Sequence, residues 1–470
     1  MMTQMTPVAI PLHGKMIYRS LHSNYLKHVF SAAGLRPVYY VEKTLLPGDD
    51  AGYEELHISK YQQVLDNPLV SISRQIRWFM VRTQSTESRF RNMISDNVWQ
   101  SEKLNATLLK SLFVNGLRYM EAVGPWLAGM EGVLTRTSEH VSSWRRQGIG
   151  RVLVSGVGNW DFEIGCLFAR EAQRYHLPVI SSITNYDNLL SKGFRGFLPD
   201  VLCVWSQKMK KQAVQFLKIH PRRIQVTGST AFDRYFIPIQ EARDEFFARR
   251  GLDPKKKTVF YAGHTSIVTY FDFLEHVINL RKPGNVLADC NLIIRPYPHQ
   301  KVMDWSGIRF FRELISQLPN VYISNPFEHS SDLFERMTGE KVDTSADELH
   351  GILKYSDLMI NYFSTLGLEA AVCDLPTIHV GYDKFTYQIS PMAWSFTGAR
   401  NAHNQDIQRR AASKVVLSDR EFVEAIESYL GDRNLHQAER HEYALSECEF
   451  LDGRATHRLA ETIASVTKSS

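Results

Sequence analysis

Short apolar runs bounded by polar turns recur along most of the chain and alternate with stretches of helical period. Residues 7–12, 37–41, 151–154, 178–183, 201–205 and 224–227 read as strands in the first half. Residues 258–262, 291–295, 321–324, 358–361 and 377–380 read as strands in the second half. Many of these runs are apolar at consecutive positions, as expected of strands covered on both faces of a parallel sheet. Helices are predicted between them over 18–33, where Gly34 is the stop, and over 161–176 and 207–219. The repeated order strand, helix, strand predicts an α/β protein. The rhythm changes over 53–144, where strand-like runs vanish and apolar residues recur at helical spacing: Ile76, Phe79, Met80; Leu109, Leu112, Phe113; Leu117, Met120. Two or three helices inserted into the first domain are predicted there. From Ser418 onward the chain again reads as helices.

A length of 470 residues exceeds what one hydrophobic core usually serves, so two domains are expected. The highly charged stretch 243–257 marks the border, giving a first domain over 1–242 and a second over 243–430. A net charge of +5 on an ordinary soluble composition does not point to nucleic acid. The five cysteines are scattered and suggest buried thiols, not disulfides or a zinc site. The opening residues do not read as a signal peptide and no run is long enough to cross a bilayer, so a cytoplasmic location is expected.

The candidate chemistry lies at the ends of predicted strands, where α/β sheets bind ligands. The stretch 357–383 reads as strand, tight turn, helix and strand, with Ser364 and Thr365 at the helix start and Glu369 about one turn in. A helix start at a strand end suits an anion, so a diphosphate is expected at Ser364 and Thr365 and a ribose at Glu369. An ordinary crossover in which Ser and Thr merely cap a helix fits the same letters. His264, Thr265 and Ser266 follow the 258–262 run in a turn able to present N–H groups. Arg295 and His299 follow the 291–295 run, where Arg295 could pair with an anion. In the first domain, His13 follows the first strand and Asp187 lies in the polar loop after 178–183. Both also fit plain turn roles. No metal-ligand spacing occurs, and no cofactor is expected.

The segment 74–91 carries Arg74, Arg77, Arg82, Arg89 and Arg91 beside Trp78, Phe79 and Phe90. Such a helix could lie on an anionic membrane, joined by Lys208, Lys210 and Lys211, or it could be a solvated face.

Several segments resemble a known group: SITNYDNLLSKG, RRIQVTGSTAFDRYF, LIIRPYPHQ, SDLMINYFSTLGLEAAVCDLPTIHVGY and FLDGRATHR. The chain from about residue 151 to 458 resembles GT-B glycosyltransferases of bacterial surface-polysaccharide biosynthesis, related to the CDP-glycerol glycerophosphotransferases. That resemblance implies two Rossmann-like domains facing a central cleft, the first binding the acceptor and carrying the 53–144 insertion, the second binding the donor. It implies that 431–470 forms helices packing back on the first domain. It further implies metal-independent transfer of a sugar or glycerol phosphate from a nucleotide-activated donor to a polysaccharide or lipid-linked acceptor. Asp187 is the first candidate base and His13 the second. Tyr297 stands where the family has His, a departure that favours a non-catalytic assembly partner. An isomerase of the UDP-sugar 2-epimerase kind shares the fold and is the other alternative.

Overall fold

The structure is a computed structural model. It describes residues 5–13, 21, 24–42, 53–56, 58–83, 85–87, 116–117, 119–120, 123–156, 163–191, 196–263, 267–296, 318–324, 342–382 and 402–466. For 42, 53–56, 58–59, 62, 163, 267–272, 342–346 and 402–403 it describes the backbone alone.

The chain forms two compact units: Met1–Asp233 with Ser446–Ser470 (and Asp332–Thr338, outside the described residues), and Arg234–Ser331 with Gly339–Leu445. The first holds a seven-stranded sheet in the order β3-β2-β1-β4-β5-β6-β7. Its strands are β1 (Thr6–Leu12), β2 (Leu35–Glu42), β3 (Tyr53–Leu56), β4 (Arg151–Ser155), β5 (Val179–Ser182), β6 (Val201–Val204) and β7 (Ile224–Val226). The second unit holds a six-stranded sheet in the order β10-β9-β8-β11-β12-β13. Its strands are β8 (Thr258–Ala262), β9 (Asn291–Arg295), β10 (Val321–Ile323), β11 (Leu358–Asn361), β12 (Thr377–Val380) and β13 (Lys414–Val416). Every pairing among the described residues is parallel.

Parallel pairing explains the unbroken apolar runs. In the second unit Val259, Tyr261, Leu358, Ile360, Ile378 and Val380 enter one core, with Phe273 and Phe422. The alternate residues Phe260, Ala262 and Met359 enter another, with Phe246 and Leu353. Both faces of these strands are therefore buried, which removes the polar alternation a one-sided sheet would show.

Two strands escaped the reading of the pattern. β3 is YEEL and β13 is KVV, each at an outer edge of its sheet. An edge strand pairs on one side only, so backbone bonds suffice and no long apolar run is required. β3 also lies inside the stretch expected to be wholly helical.

The inserted helices Ile58–Leu65, Pro68–Met80 and Val123–Leu134 are joined to the sheet-covering helix Glu163–Arg174 by two buried carboxylates. Glu131 accepts from Ser73 Oγ at 2.6 Å, Arg77 Nη1 at 2.9 Å and Arg170 Nη2 at 2.9 Å. Glu171 accepts from Tyr61 Oη at 2.9 Å, Thr137 Oγ1 at 2.7 Å and the His140 N–H at 2.7 Å. Burial alone would raise the Glu171 carboxyl, but the hydrogen bonds and charge of His140 and the bond from Thr137 outweigh it and hold it down.

The described residues of 74–91 do not form the basic surface that the membrane reading needs. Arg77 is only 4% exposed and belongs to the Glu131 cluster. Phe79 is buried with Ile76 and Leu127, and Trp78 Nε1 donates to Ser191 O at 3.3 Å. Arg82 stays outside, against Glu87 and over the Tyr119 ring, whereas Lys208 is bonded to Glu447. Arg89, Phe90 and Arg91 lie outside the described residues. The charge was legible in the sequence, but the buried partner, far away in the chain, was not.

The C-terminal helix Ala455–Ser465 belongs to the first unit. Asp233 caps it with both oxygens, accepting from the N–H of Ala455 at 2.9 Å and of Thr456 at 2.7 Å. Tyr25 Oη donates to Gly453 O, and Arg151 Nε donates to Val466 O.

Arg77→Ala should destabilise the first unit by about 3–5 kcal/mol, because it strips a partner from a buried carboxylate. Equilibrium urea unfolding checks this. A loss below about 1 kcal/mol, the range of an exposed pair, would show that Arg77 behaves as surface charge.

Candidate functional site

Strand order reverses once in each sheet, between β1 and β4 in the first unit and between β8 and β11 in the second. Helices leave to opposite faces on the two sides of such a point, opening a crevice at the carboxyl ends of the strands. In the second unit the flanking ends are Gly263, after β8, and the Tyr362–Thr365 turn, after β11.

That turn is built from the last residue of β11. Asn361 Oδ1 accepts the Tyr362 N–H at 2.6 Å and the Ser364 hydroxyl at 2.9 Å. Phe363 takes a left-handed conformation, φ 52°. A non-glycine residue there carries strain of about 1–3 kcal/mol unless its surroundings enforce it. Its ring lies flat against His379 of β12, with centroids 4.8 Å apart and planes 16° apart. The helix Leu366–Val372 then starts, with Gly367 N–H on Ser364 O and Leu368 N–H on Thr365 O. The Ser364 hydroxyl proton is thus directed at Asn361, so an anion at this turn would be met by main-chain N–H groups.

Glu369 lies in this helix and is buried, one carboxylate oxygen taking the Tyr235 hydroxyl. The Tyr235 ring meets His350 edge-on at 5.4 Å. Burial, helped by Lys354 and Arg234, pushes His350 down to about 4, so it is neutral at pH 7.

Arg295 ends β9 beside Ala262 of β8. It is 11% exposed, with Nη1 2.5 Å from Ser324 Oγ and 3.4 Å from Glu348 Oε2. Glu348 also receives Tyr322 Oη at 2.6 Å, Ser324 Oγ at 2.6 Å and Arg250 Nε at 3.4 Å. Burial would raise the Glu348 carboxyl, but those hydroxyls and the two guanidiniums outweigh it and hold it below the usual 4.5. Glu348 and Tyr235 were not anticipated, since both partnerships join residues distant in sequence.

No protein-family model and no curated protein matches the sequence. Solved structures do match the fold. The S. aureus MnaA–UDP co-structure is similar at TM-score 0.51 with 11% identity, covering 97% of this chain and 95% of that one. UDP-GlcNAc 2-epimerase from Neisseria meningitidis, bound to UDP-GlcNAc, is similar at TM-score 0.51 with 12% identity, covering 97% of this chain and 99% of that one. The fold is GT-B. The wall teichoic acid polymerase TagF aligns at TM-score 0.49, a likeness too slight to bear on function.

Within this GT-B chain, Arg295, Ser364, Thr365 and Glu369 all belong to the second unit, at or just beyond the carboxyl ends of β9 and β11. His264, Thr265, Ser266 and His299 lie outside the described residues. His13 and Asp187 follow β1 and β5 of the first unit. His13 keeps some solvent contact overall, but its ring is enclosed, Nε2 lying 2.8 Å from where a Cβ on Gly165 would sit. Burial pushes its pKa down to about 4. Asp187 Oδ2 accepts from Ser191 Oγ at 2.6 Å, and Asp187 O accepts the Leu190 and Ser191 N–H groups.

The depressed Glu348 carboxyl gives a pH signature. Its contribution to stability is fully present above its ordinary value of 4.5 and is lost as pH falls through its lower folded value. Glu348→Gln should therefore lose less stability than the wild type between about pH 6 and pH 3.5. Urea unfolding across that range tests it, and parallel pH profiles would refute the coupling.

Proposed function

We propose that the protein is a glycosyltransferase-type enzyme. It moves a sugar, or glycerol phosphate, from a nucleotide-activated donor to a cell-surface polysaccharide or lipid-linked acceptor. The observation that carries the reading is the ordered turn at the reversal point of the second sheet. There, main-chain N–H groups, Glu369 and Arg295 offer what a nucleoside diphosphate needs. The N–H groups at Ser364 and Thr365 would take the diphosphate, with His264, Thr265, Ser266 and His299 joining from the neighbouring strand ends. Glu369 keeps acceptor capacity for a ribose hydroxyl beyond the bond from Tyr235. Leaving-group charge would be stabilised by these dipoles and by Arg295, without a bound metal. The base that takes the acceptor proton is Asp187 first and His13 second. His13 is unprotonated at neutral pH, but with its pKa pushed down to about 4 it accepts that proton only weakly.

A second reading, an isomerase acting on a UDP-sugar, is supported by the similarity of the fold to solved UDP-N-acetylglucosamine 2-epimerases. Product analysis with the donor alone separates the two, because an isomerase turns over without an acceptor. Calorimetric titration with UDP, CDP, GDP and CMP identifies the base. Arg295→Ala should weaken the nucleotide that binds by about 1.5–3 kcal/mol, the range for a hydrogen bond to a charged group. Unchanged affinity would confine Arg295 to its ion pair with Glu348. No nucleotide binding and no turnover would favour the non-catalytic alternative.

For a lipid-linked acceptor we infer peripheral contact with the cytoplasmic membrane face through the Val123–Leu134 helix. No helix among the described residues is long and apolar enough to cross a membrane. Trp126 and Val133 of this helix are 65% and 75% exposed, and Tyr119 and Met120 just before it are exposed too. Its one carboxylate, Glu131, is buried among Arg77 and Arg170, so the exposed face is uncharged. Arg136, two residues after the helix, is exposed, and so is Arg82, which lies over the Tyr119 ring. An apolar face carrying Trp, with cations close by, suits an anionic interface. The wild type should co-sediment with anionic vesicles, and Trp126→Glu with Val133→Glu should abolish it. A wild type that stays in the supernatant at low salt would end this assignment.

A further inference from the structure

His379 is an unusual choice for its place. It lies in β12 between Ile378 and Val380, is 1% exposed, and pairs in register with Asn361 of β11. Its neighbours in the strand are aliphatic, and burial depresses its pKa to about 3. An isoleucine or leucine would fill such a core position without the desolvation penalty of an imidazole. Among the described residues, His379 Nδ1 and Asn361 Nδ2 have no hydrogen-bond partner. Close packing of the sheet therefore does not explain the residue.

Its contacts suggest another role. One face of the ring stacks on Phe363, the residue held left-handed at the turn. Its edge reaches the first turn of the 366–372 helix at Gly367. A Cβ on Gly367 would meet His379 Cε1 at 2.6 Å, His379 Nε2 at 3.1 Å and Asn361 Nδ2 at 3.2 Å. Only glycine lets the helix start sit this close to both side chains. Asn361 in turn holds the Ser364 hydroxyl. Beyond the ring, a small cavity is lined by His379, Ser413, Arg440 and Tyr443.

We propose that His379, together with Asn361, is a positioning residue for the turn from Phe363 to Gly367. Its flat ring supports Phe363 in the left-handed conformation and fixes the height of Gly367. Through those two contacts it sets the direction of the main-chain N–H groups offered to the diphosphate of a nucleotide. The ligand half of this proposal rests on the donor-site reading above; the turn-ordering half does not.

Two measurements on the full chain separate them. Hydrogen exchange of the 361–368 amides, without ligand, reads the turn alone, and calorimetric titration with UDP, CDP, GDP and CMP reads the ligand. The variants are His379→Leu, Phe363→Asn and the double variant; Asn tolerates the left-handed region, so Phe363→Asn removes the stack without forcing the backbone. Each single variant should speed exchange over 361–368 about tenfold, with β8 and β9 unaltered. Each should also weaken nucleotide binding about fivefold or more, as expected when binding groups are misdirected. The double variant should be no worse than the weaker single, because both remove one stack. Unaltered exchange in both singles, or effects that add in the double variant, would overturn the positioning role. Faster exchange with nucleotide affinity unchanged, or a wild type that binds none of the four nucleotides, would instead overturn the ligand half and leave the turn-ordering role standing.

Discussion

Right-handed crossovers between parallel strands constrain everything else in this molecule. As long as strands are added in one direction, the connecting helices cover one face, and the strand ends stay closed. Only where the direction reverses do neighbouring connections part. In the second unit that place lies between β8 and β11, and in the first between β1 and β4. The sequence places Gly263 and the Ser364 turn at one, and His13 and Gly156 at the other. None of these residues is distinctive by itself. Their location at the single opening of each sheet gives them something to do.

The elements legible in the chain were those whose physics is local. Parallel strands buried on both faces must be continuously apolar, and β1, β8, β9 and β11 show it. The edge strands β3 and β13 need only a backbone partner, so YEEL and KVV carry no such signature. At the site, a strand end followed by Ser-Thr and a helix with Glu369 could be read directly. The Phe363–His379 stack, the Tyr235 bond to Glu369 and the Glu348 cage around Arg295 could not. Each joins positions far apart in sequence or depends on one backbone angle that no residue type announces. Arg77 is the sharpest case: five arginines beside three aromatics describe a basic surface until Glu131 is found beneath it.

That buried carboxylate shows how the inserted helices are tied down. An apolar contact of equal area would stabilise them at least as well, since desolvating three charges consumes most of their Coulomb attraction. Apolar contacts tolerate sliding, however, whereas Glu131 must find Ser73, Arg77 and Arg170 together. Glu171 imposes the same demand on Tyr61, Thr137 and His140. The two clusters fix the register of three helices against the 163–174 helix, and leave Trp126 and Val133 of the 123–134 helix exposed while Leu127 is buried.

Glu348 acts in the same manner at the proposed nucleotide site, with a different balance. A carboxylate beside Arg295 works against an anion-binding arginine, because it offers the anion a competitor. The wider network decides otherwise: Arg250 also pairs with Glu241, which Arg249 shares, so Arg249, Arg250 and Arg295 meet only two carboxylates, Glu241 and Glu348. The Arg295 side chain, meanwhile, is held by Ser324 and Glu348 before any ligand arrives. A free arginine at a strand end surrenders about 2 kcal/mol of rotamer entropy when it grips a phosphate. Here much of that loss falls on folding and not on binding. Ser364, with its hydroxyl turned to Asn361, is ordered in the same way. In both places a neighbour within the fold is engaged first, so that the groups offered to the nucleotide are already in position.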